Sequence, residues 1–341
     1  MVILQQPEAF SLASDLKDLF IESNEKVTVR FQTRGNVFLE ETYSPDAENK
    51  IAVRDLGRLF LPYLLTFRLI EPFSIALSTP SGETKTIDCR VQYCRLKINQ
   101  KAESFLSSHF LTGLQEEKII YPFQKEYLSF VATERTEVEI SARYASGKTV
   151  KKTAWVLEPP SADPQVLTVE VSPSLFEHPE TILYAVATAG ERTFAYVLRR
   201  SAPRNPVQFL FLNSFGVKET FIPFASITRE NKYENQFGVF NGNYRKYGAE
   251  LVKEYTARTG VLTQGMADWI EELFLSRNVF LLSQDGIEQE ATLTEATLQR
   301  SSARDELPNY AFKYRAAPIN QNELTIRGAR IFDLSFNYTF N

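Results

Sequence analysis

The stretch KVTVRFQTRGNVFLEETYSPD, residues 26–46, constrains the chain most. Val27, Val29 and Phe31 alternate with polar residues, a Gly-Asn corner follows, and Val37 and Leu39 resume the apolar series. A period of two around a turn cannot present one apolar face as a helix, so it predicts a β-hairpin. The same pattern recurs in FSIALSTPSGETKTIDCRVQYCRLKI and in TEVEISARYASGKTVKKTAWVL, which turn at TPSGE and ASGK. With 26 Phe and 15 Tyr against two Met, the composition also favours sheets over helical bundles.

A chain of 341 residues exceeds one ordinary core. The expected fold is mainly β: tandem β-sandwich (Ig-like) domains over 1–98 and 99–204, then a C-terminal α+β domain over 205–341. A loose internal repeat supports the tandem. LTVEVSPSLF echoes IAVRDLGRLF, and the hairpin glycines Gly35 and Gly147 stand at similar distances before each Leu-Phe pair. If the repeat is real, EPPSADPQ is a loop inside the second unit rather than a linker. The prolines of RRSAPRNP mark the better boundary.

In the last region, Met266, Trp269, Ile270, Leu273 and Phe274 follow helical spacing and predict one amphipathic helix at about 264–276, with Asp268, Glu271 and Glu272 on its other side. VQFLFLNSFGVKETFIPF predicts a buried strand, a corner at Asn213–Gly216 and a returning strand, with Phe215 packed in its own domain or offered to a neighbour. YENQFGVFNGNYRKYG interleaves Tyr233, Phe237, Phe240 and Tyr244 with Asn and Gly and reads first as a hairpin, then as a protein contact. The run RIFDLSFNYTFN alternates cleanly, placing Phe332, Phe336, Tyr338 and Phe340 on one face. It is expected to close its own sheet or to add to a neighbouring subunit's edge.

Chemistry is sparsely written. Only His109 and His178 could serve as imidazole bases, and the serines beside His109 are adjacent in sequence without the geometry of a nucleophile and base. Cys89 and Cys94 read as part of one strand with thiols on opposite faces, so neither a mutual disulfide nor a shared metal is expected. YSPDAEN has oxygen ligands but not the order of a calcium loop, and phosphate-binding glycine motifs are lacking. No catalytic, cofactor-binding or metal residues, no cofactor and no enzymatic activity are expected. The formal charge of −4 gives no reason to expect nucleic acid as a partner. No apolar run reaches a membrane span, and the N-terminal residues lack the marks of a signal peptide, so assembly in a host cytoplasm is expected.

FLFLNSFGVKETF resembles a segment of virion structural proteins of phages and prophages of the Bacteroidetes, encoded with tail and baseplate genes. MADWIEELFLSRNVFLL, LPNYAFKYRAAPINQ and FLEETYSPDAENKIAVRDLGRLF resemble further parts of the same proteins. The resemblance implies a non-enzymatic tail or baseplate subunit that forms a homo-oligomer, expected to be a ring, and touches other virion proteins. The alternative is a carbohydrate-binding or adhesin module for host-surface recognition. Phe215, Tyr233, Phe237, Phe240, Tyr244, Phe332, Phe336, Tyr338 and Phe340 are the expected intersubunit contacts.

Overall fold

The computed structural model describes residues 1–66, 69–159, 163–171, 181–201, 203–282, 288–297 and 307–316. The chain is mainly β, organised in several sheets as a sandwich-rich fold. Its first unit contains β1 (Val2–Gln5), β2 (Phe10–Leu12), β3 (Leu19–Glu22), β4 (Val27–Thr33), β5 (Asn36–Tyr43), β6 (Lys50–Val53), α1 (Leu56–Thr66), β7 (Ile70–Ser78) and β8 (Thr84–Gln92). A five-stranded sheet in the order β2-β8-β7-β4-β5 faces a three-stranded sheet in the order β1-β3-β6. Alternation decides what lies between them: Val27, Val29 and Phe31 of β4 and Phe73, Ile75 and Leu77 of β7 are buried. Phe60 of α1 stacks on Phe73, with ring centroids 4.0 Å apart. The expected strand through both cysteines stops at Gln92, so Cys94 lies beyond β8. Both thiols are free and buried, and burial pushes the Cys94 thiol up to about 11.

The connecting helix α2 (Ala102–Ser108) leads to a second unit of β9 (Lys118–Ile120), β10 (Glu126–Ala132), β11 (Thr136–Tyr144), β12 (Thr149–Leu157), β13 (Gln165–Val171), β14 (Ile182–Ala189) and β15 (Arg192–Leu198). Its five-stranded sheet runs β12-β11-β14-β15-β9, and β10 pairs with β13. This is the first unit's plan again. In each, a hairpin leads into the two central strands, and a short early strand closes the far edge in parallel, β2 on β8 and β9 on β15. The loose sequence repeat thus marks a duplicated topology, and residues 158–164 connect β12 to β13 within the second unit. Packing has been redistributed between the copies. Where β7 buries Phe73, Ile75 and Leu77, β14 buries Ala185, Ala187 and Ala189, and the neighbouring β15 supplies Phe194, Tyr196 and Leu198 where β8 has Ile87, Cys89 and Val91. Close packing requires such exchanges of large for small.

The remaining elements are β16 (Gln208–Leu212), β17 (Lys218–Phe221), β18 (Ile227–Phe240), β19 (Asn243–Arg258), α3 (Gln264–Leu275), β20 (Val279–Leu282), β21 (Glu288–Thr297) and β22 (Ala311–Ala316). Seven strands form one sheet in the order β17-β16-β20-β21-β22-β19-β18. The helix lies where its spacing predicts. Thr263 caps its N-terminus by accepting from the Met266 N–H. Met266, Trp269, Ile270 and Leu273 enter a core shared with Phe110, Phe130 and Tyr196 of the second unit, and β10 lies against β17. The core therefore runs through the boundary expected at 204/205. The first unit's core is separate, and a smaller cluster including Leu12, Cys94, Phe105, Leu111 and Phe215 joins the two.

Candidate functional site

The β18–β19 hairpin departs from the rest of the fold. At its root, Tyr255 to Arg258 pair with β22, and Tyr255, Thr256 and Ala257 pair on the other side with Arg229, Thr228 and Ile227 of β18. Among the described residues, the two strands pair beyond Glu230 only with each other as far as the Asn241-Gly242 turn. Eleven or so residues at about 3.4 Å each make an arm roughly 35 Å long. The turn residues have φ of 50° and 74°, the left-handed pair that a two-residue hairpin loop requires and that Asn and Gly adopt most readily. A sequence reading finds this turn; it does not show that the strands overrun their sheet.

Register gives the arm two unlike faces. Tyr233, Phe237 and Val239 project on the same side, opposite Leu251, Lys246 and Tyr244. A bulge leaves Tyr247 without a cross-strand partner. Phe237 and Tyr244 stack with centroids 5.4 Å apart. The other side carries Lys232, Glu234, Gln236, Arg245 and Glu250, with Phe240 at the tip. The aromatic side continues the side on which Ala257, at the root, is fully buried, so a core-facing surface has been extended past its own core. Tyr233 is 60% exposed, Phe237 48%, Val239 70%, Phe240 67% and Tyr244 74%. The root is fixed by charge: Glu254 accepts from Lys232 Nζ at 2.7 Å and from Arg315 Nη2 at 2.9 Å, and both cations hold its carboxyl below the usual carboxylate range. Tyr255 stacks on Tyr314 beside it.

Of the residues expected to meet a neighbour, Tyr233, Phe237, Phe240 and Tyr244 thus share one exposed arm. Phe215 does not join them. It is fully buried and stacks on Phe105 at 5.6 Å, because the corner holding it folds back into the joint between units. Asn213 Oδ1 accepts from the N–H groups of Phe215 and Val217, and its amide donates to the Leu111 carbonyl at 2.7 Å. Gly216 has φ +74°, and a methyl there would come within 2.5 Å of Leu69 and 3.0 Å of the Tyr93 ring. The corner is a joint, and the expectation that Phe215 reaches a neighbour is corrected by this packing. Phe332, Phe336, Tyr338 and Phe340 lie outside the described residues, as does His178.

Sequence reasoning also missed a sealed group of charges. Lys118 Nζ donates to Glu126 at 2.7 Å and sits 4.5 Å from the centre of the Trp269 ring. The Trp269 indole N–H donates to Glu219. Glu272, expected on the solvent side of its helix, is turned inward and accepts from the Ser214 N–H at 2.6 Å. Burial and the neighbouring Glu219 push the Glu272 carboxyl up to about 7, and burial also raises Glu219. Acids with raised pKa suit proton transfer, but all four ionisable side chains are buried. Among these residues only the Trp269 stripe was visible as core in the sequence.

A cleft of about 550 Å³ beside β14 and β15 is lined by His109, Glu116, Glu117, Tyr184 and Thr193. Several of its polar groups are engaged structurally. Ser108 Oγ lies 2.8 Å from both the Ser104 carbonyl and His109 Nδ1. Glu116 accepts from the Met266 N–H and from Thr263 at the start of α3, and Glu117 accepts from the Tyr184 hydroxyl. Among the described residues no group of three or more His, Cys, Asp or Glu is placed to hold a metal ion, and no helix is long and apolar enough to cross a membrane.

No protein-family profile matches the chain, and no curated protein matches it. One solved structure, described as "Ca2+-stabilized adhesin helps an Antarctic bacterium reach out and bind ice", is similar at 12% identity over 85% of this chain and 73% of that one, with a TM-score of 0.16. A superposition that poor carries no argument about fold or function.

Proposed function

We propose that the chain is a non-enzymatic structural subunit of a phage-type tail or baseplate, acting through homo-oligomerisation and contacts with neighbouring virion proteins. The arm carries the reading. An isolated two-stranded ribbon is marginal in water, and one with aromatic residues ranged along one face gains stability when that face is covered. Phe and Tyr supply contact area at little cost in side-chain entropy, which suits an interface. The virion setting comes from the resemblance of segments such as FLFLNSFGVKETF and MADWIEELFLSRNVFLL to tail and baseplate proteins. The terminal run with Phe332, Phe336, Tyr338 and Phe340 belongs to the same proposal as a second contact.

The test is sedimentation velocity and negative-stain microscopy of the purified full chain beside a Phe237→Asp/Tyr244→Asp variant. Oligomers, expected to be rings, should form with the native protein and be lost in the variant while far-UV circular dichroism is unchanged. A native protein that stays monomeric at tens of micromolar, alone and with tail proteins, overturns the assembly reading. The second reading, a glycan-binding module, draws on the exposed rings of Tyr244 and Tyr247. Specific glycan-array binding by monomeric protein, abolished by Tyr244→Ala, would favour it instead.

A further inference from the structure

The duplicated units end in equivalent strands. β5 closes one side of the first five-stranded sheet and β12 closes the same side of the second, each the outer strand of the corresponding hairpin. Neither has a further neighbour among the described residues, so each presents a row of backbone donors and acceptors. Their charges are opposite. From Gly35 to Asn49 the first edge and its following turn carry Glu40, Glu41, Asp46 and Glu48 and no Lys or Arg. From Tyr144 to Leu157 the second carries Lys148, Lys151 and Lys152 and no Asp or Glu. These charged side chains are exposed.

We propose that β5 of one copy pairs with β12 of a second copy, joining the two five-stranded sheets across the subunit boundary. The inference rests on the assembly reading and names its partner and surface. Register supports it. Glu41 is paired with Val29 and Lys152 with Ile140, so both project on the core-facing side of their sheets, where they stand at the rim. An antiparallel alignment that opposes Glu41 to Lys152 keeps the core-facing sides continuous and sets Glu40 diagonal to Lys151 on the outer side, within reach of long side chains. Like edges cannot substitute: β5 on β5 would oppose glutamates, and β12 on β12 would oppose lysines. Exposed side-chain contacts on these strands, among them Arg30 with Glu40 at 2.7 Å, Lys151 with Glu139 at 3.0 Å and the Tyr43 hydroxyl donating to Glu41, leave the edge backbone open.

Charge reversal tests the pairing in the full chain at low salt. Glu40→Lys/Glu41→Lys alone, or Lys151→Glu/Lys152→Glu alone, should weaken self-association by roughly tenfold or more in sedimentation equilibrium, since each sets like charges against each other. Mixing the two variants should restore association as alternating assemblies, because the reversed β5 of one then meets the reversed β12 of the other, and native β5 meets native β12, so that every junction again joins opposite charges. Folding is checked by circular dichroism, and the rescue on mixing excludes misfolding as the cause of the loss. Association that is indifferent to both reversals, or no recovery in the mixture, overturns the edge pairing and leaves assembly through the arm standing. A native chain that never associates overturns both.

Discussion

At the scale of single residues, Glu272 makes the stability of the fold depend on pH. Its carboxyl ordinarily loses its proton near 4.5 and is held at about 7 in the fold. Below the lower value both folded and unfolded chains are protonated and the group is neutral in its effect. As pH rises between the two values the unfolded chain ionises first, so stability falls, and above about 7 the loss is complete, on the order of 3 kcal/mol. Glu272→Gln should therefore raise the melting temperature at pH 8 and leave it nearly unchanged at pH 4.5. A shift that is equal at both pH values would refute this account. Nothing in the sequence separates Glu272 from Glu271 beside it: both read as solvated positions, and the inward turn of Glu272 is set by the Ser214 N–H some 58 residues away in the chain. Phe215 posed the same difficulty. Its ring could be assigned to a tip or a core only by knowing that Phe105 lies under it.

Among the elements, those written by local pattern were legible and those defined by their partners were not. The hairpins around Gly35 and Gly147 and the helix from Gln264 follow from alternation, turn residues and helical spacing, which are properties of a few consecutive side chains. The arm is different. Its turn is local, but its status as an arm depends on pairing, among the described residues, of β22 with only the last residues of β19, a long-range fact that no spacing encodes. The exposed backbone predicts its dynamics. In monomeric protein the amides of Tyr233 to Lys246 should exchange with solvent orders of magnitude faster than those of β4 or β11, because a bare ribbon opens locally. Assembly should slow that exchange selectively, as read by hydrogen–deuterium exchange mass spectrometry. Uniform protection of the arm in the monomer would mean that the ribbon is covered by its own chain.

Across the whole molecule, the two large cores matter more than the three regions that composition suggests. The first unit owns one core, while the second unit and the seven-stranded sheet share the other. Calorimetry should therefore resolve at most two unfolding transitions. Phe215→Ala, which empties a fully buried site in the joining cluster, should cost about 3–5 kcal/mol and separate those transitions further. Three transitions, with the helix-bearing region melting alone, would contradict a shared core. The duplication was only faintly legible, through Gly35, Gly147 and two Leu-Phe echoes, because the copies preserve strand order and exchange side-chain volume between neighbouring strands.

The corner at Asn213–Gly216 has a mechanical consequence. It continues β16, which shares one hydrogen-bonded sheet with β19, and it seats Phe215 against Phe105 in the joint to the first unit. A tug on the arm along its axis would load the β19–β22 ladder in shear, the direction in which its bonds bear force together rather than unzipping singly. The load would pass across the sheet to the corner and from there into the first sandwich. A subunit gripped by its arm would then move as one body, with the joint transmitting the force that a flexible linker would absorb.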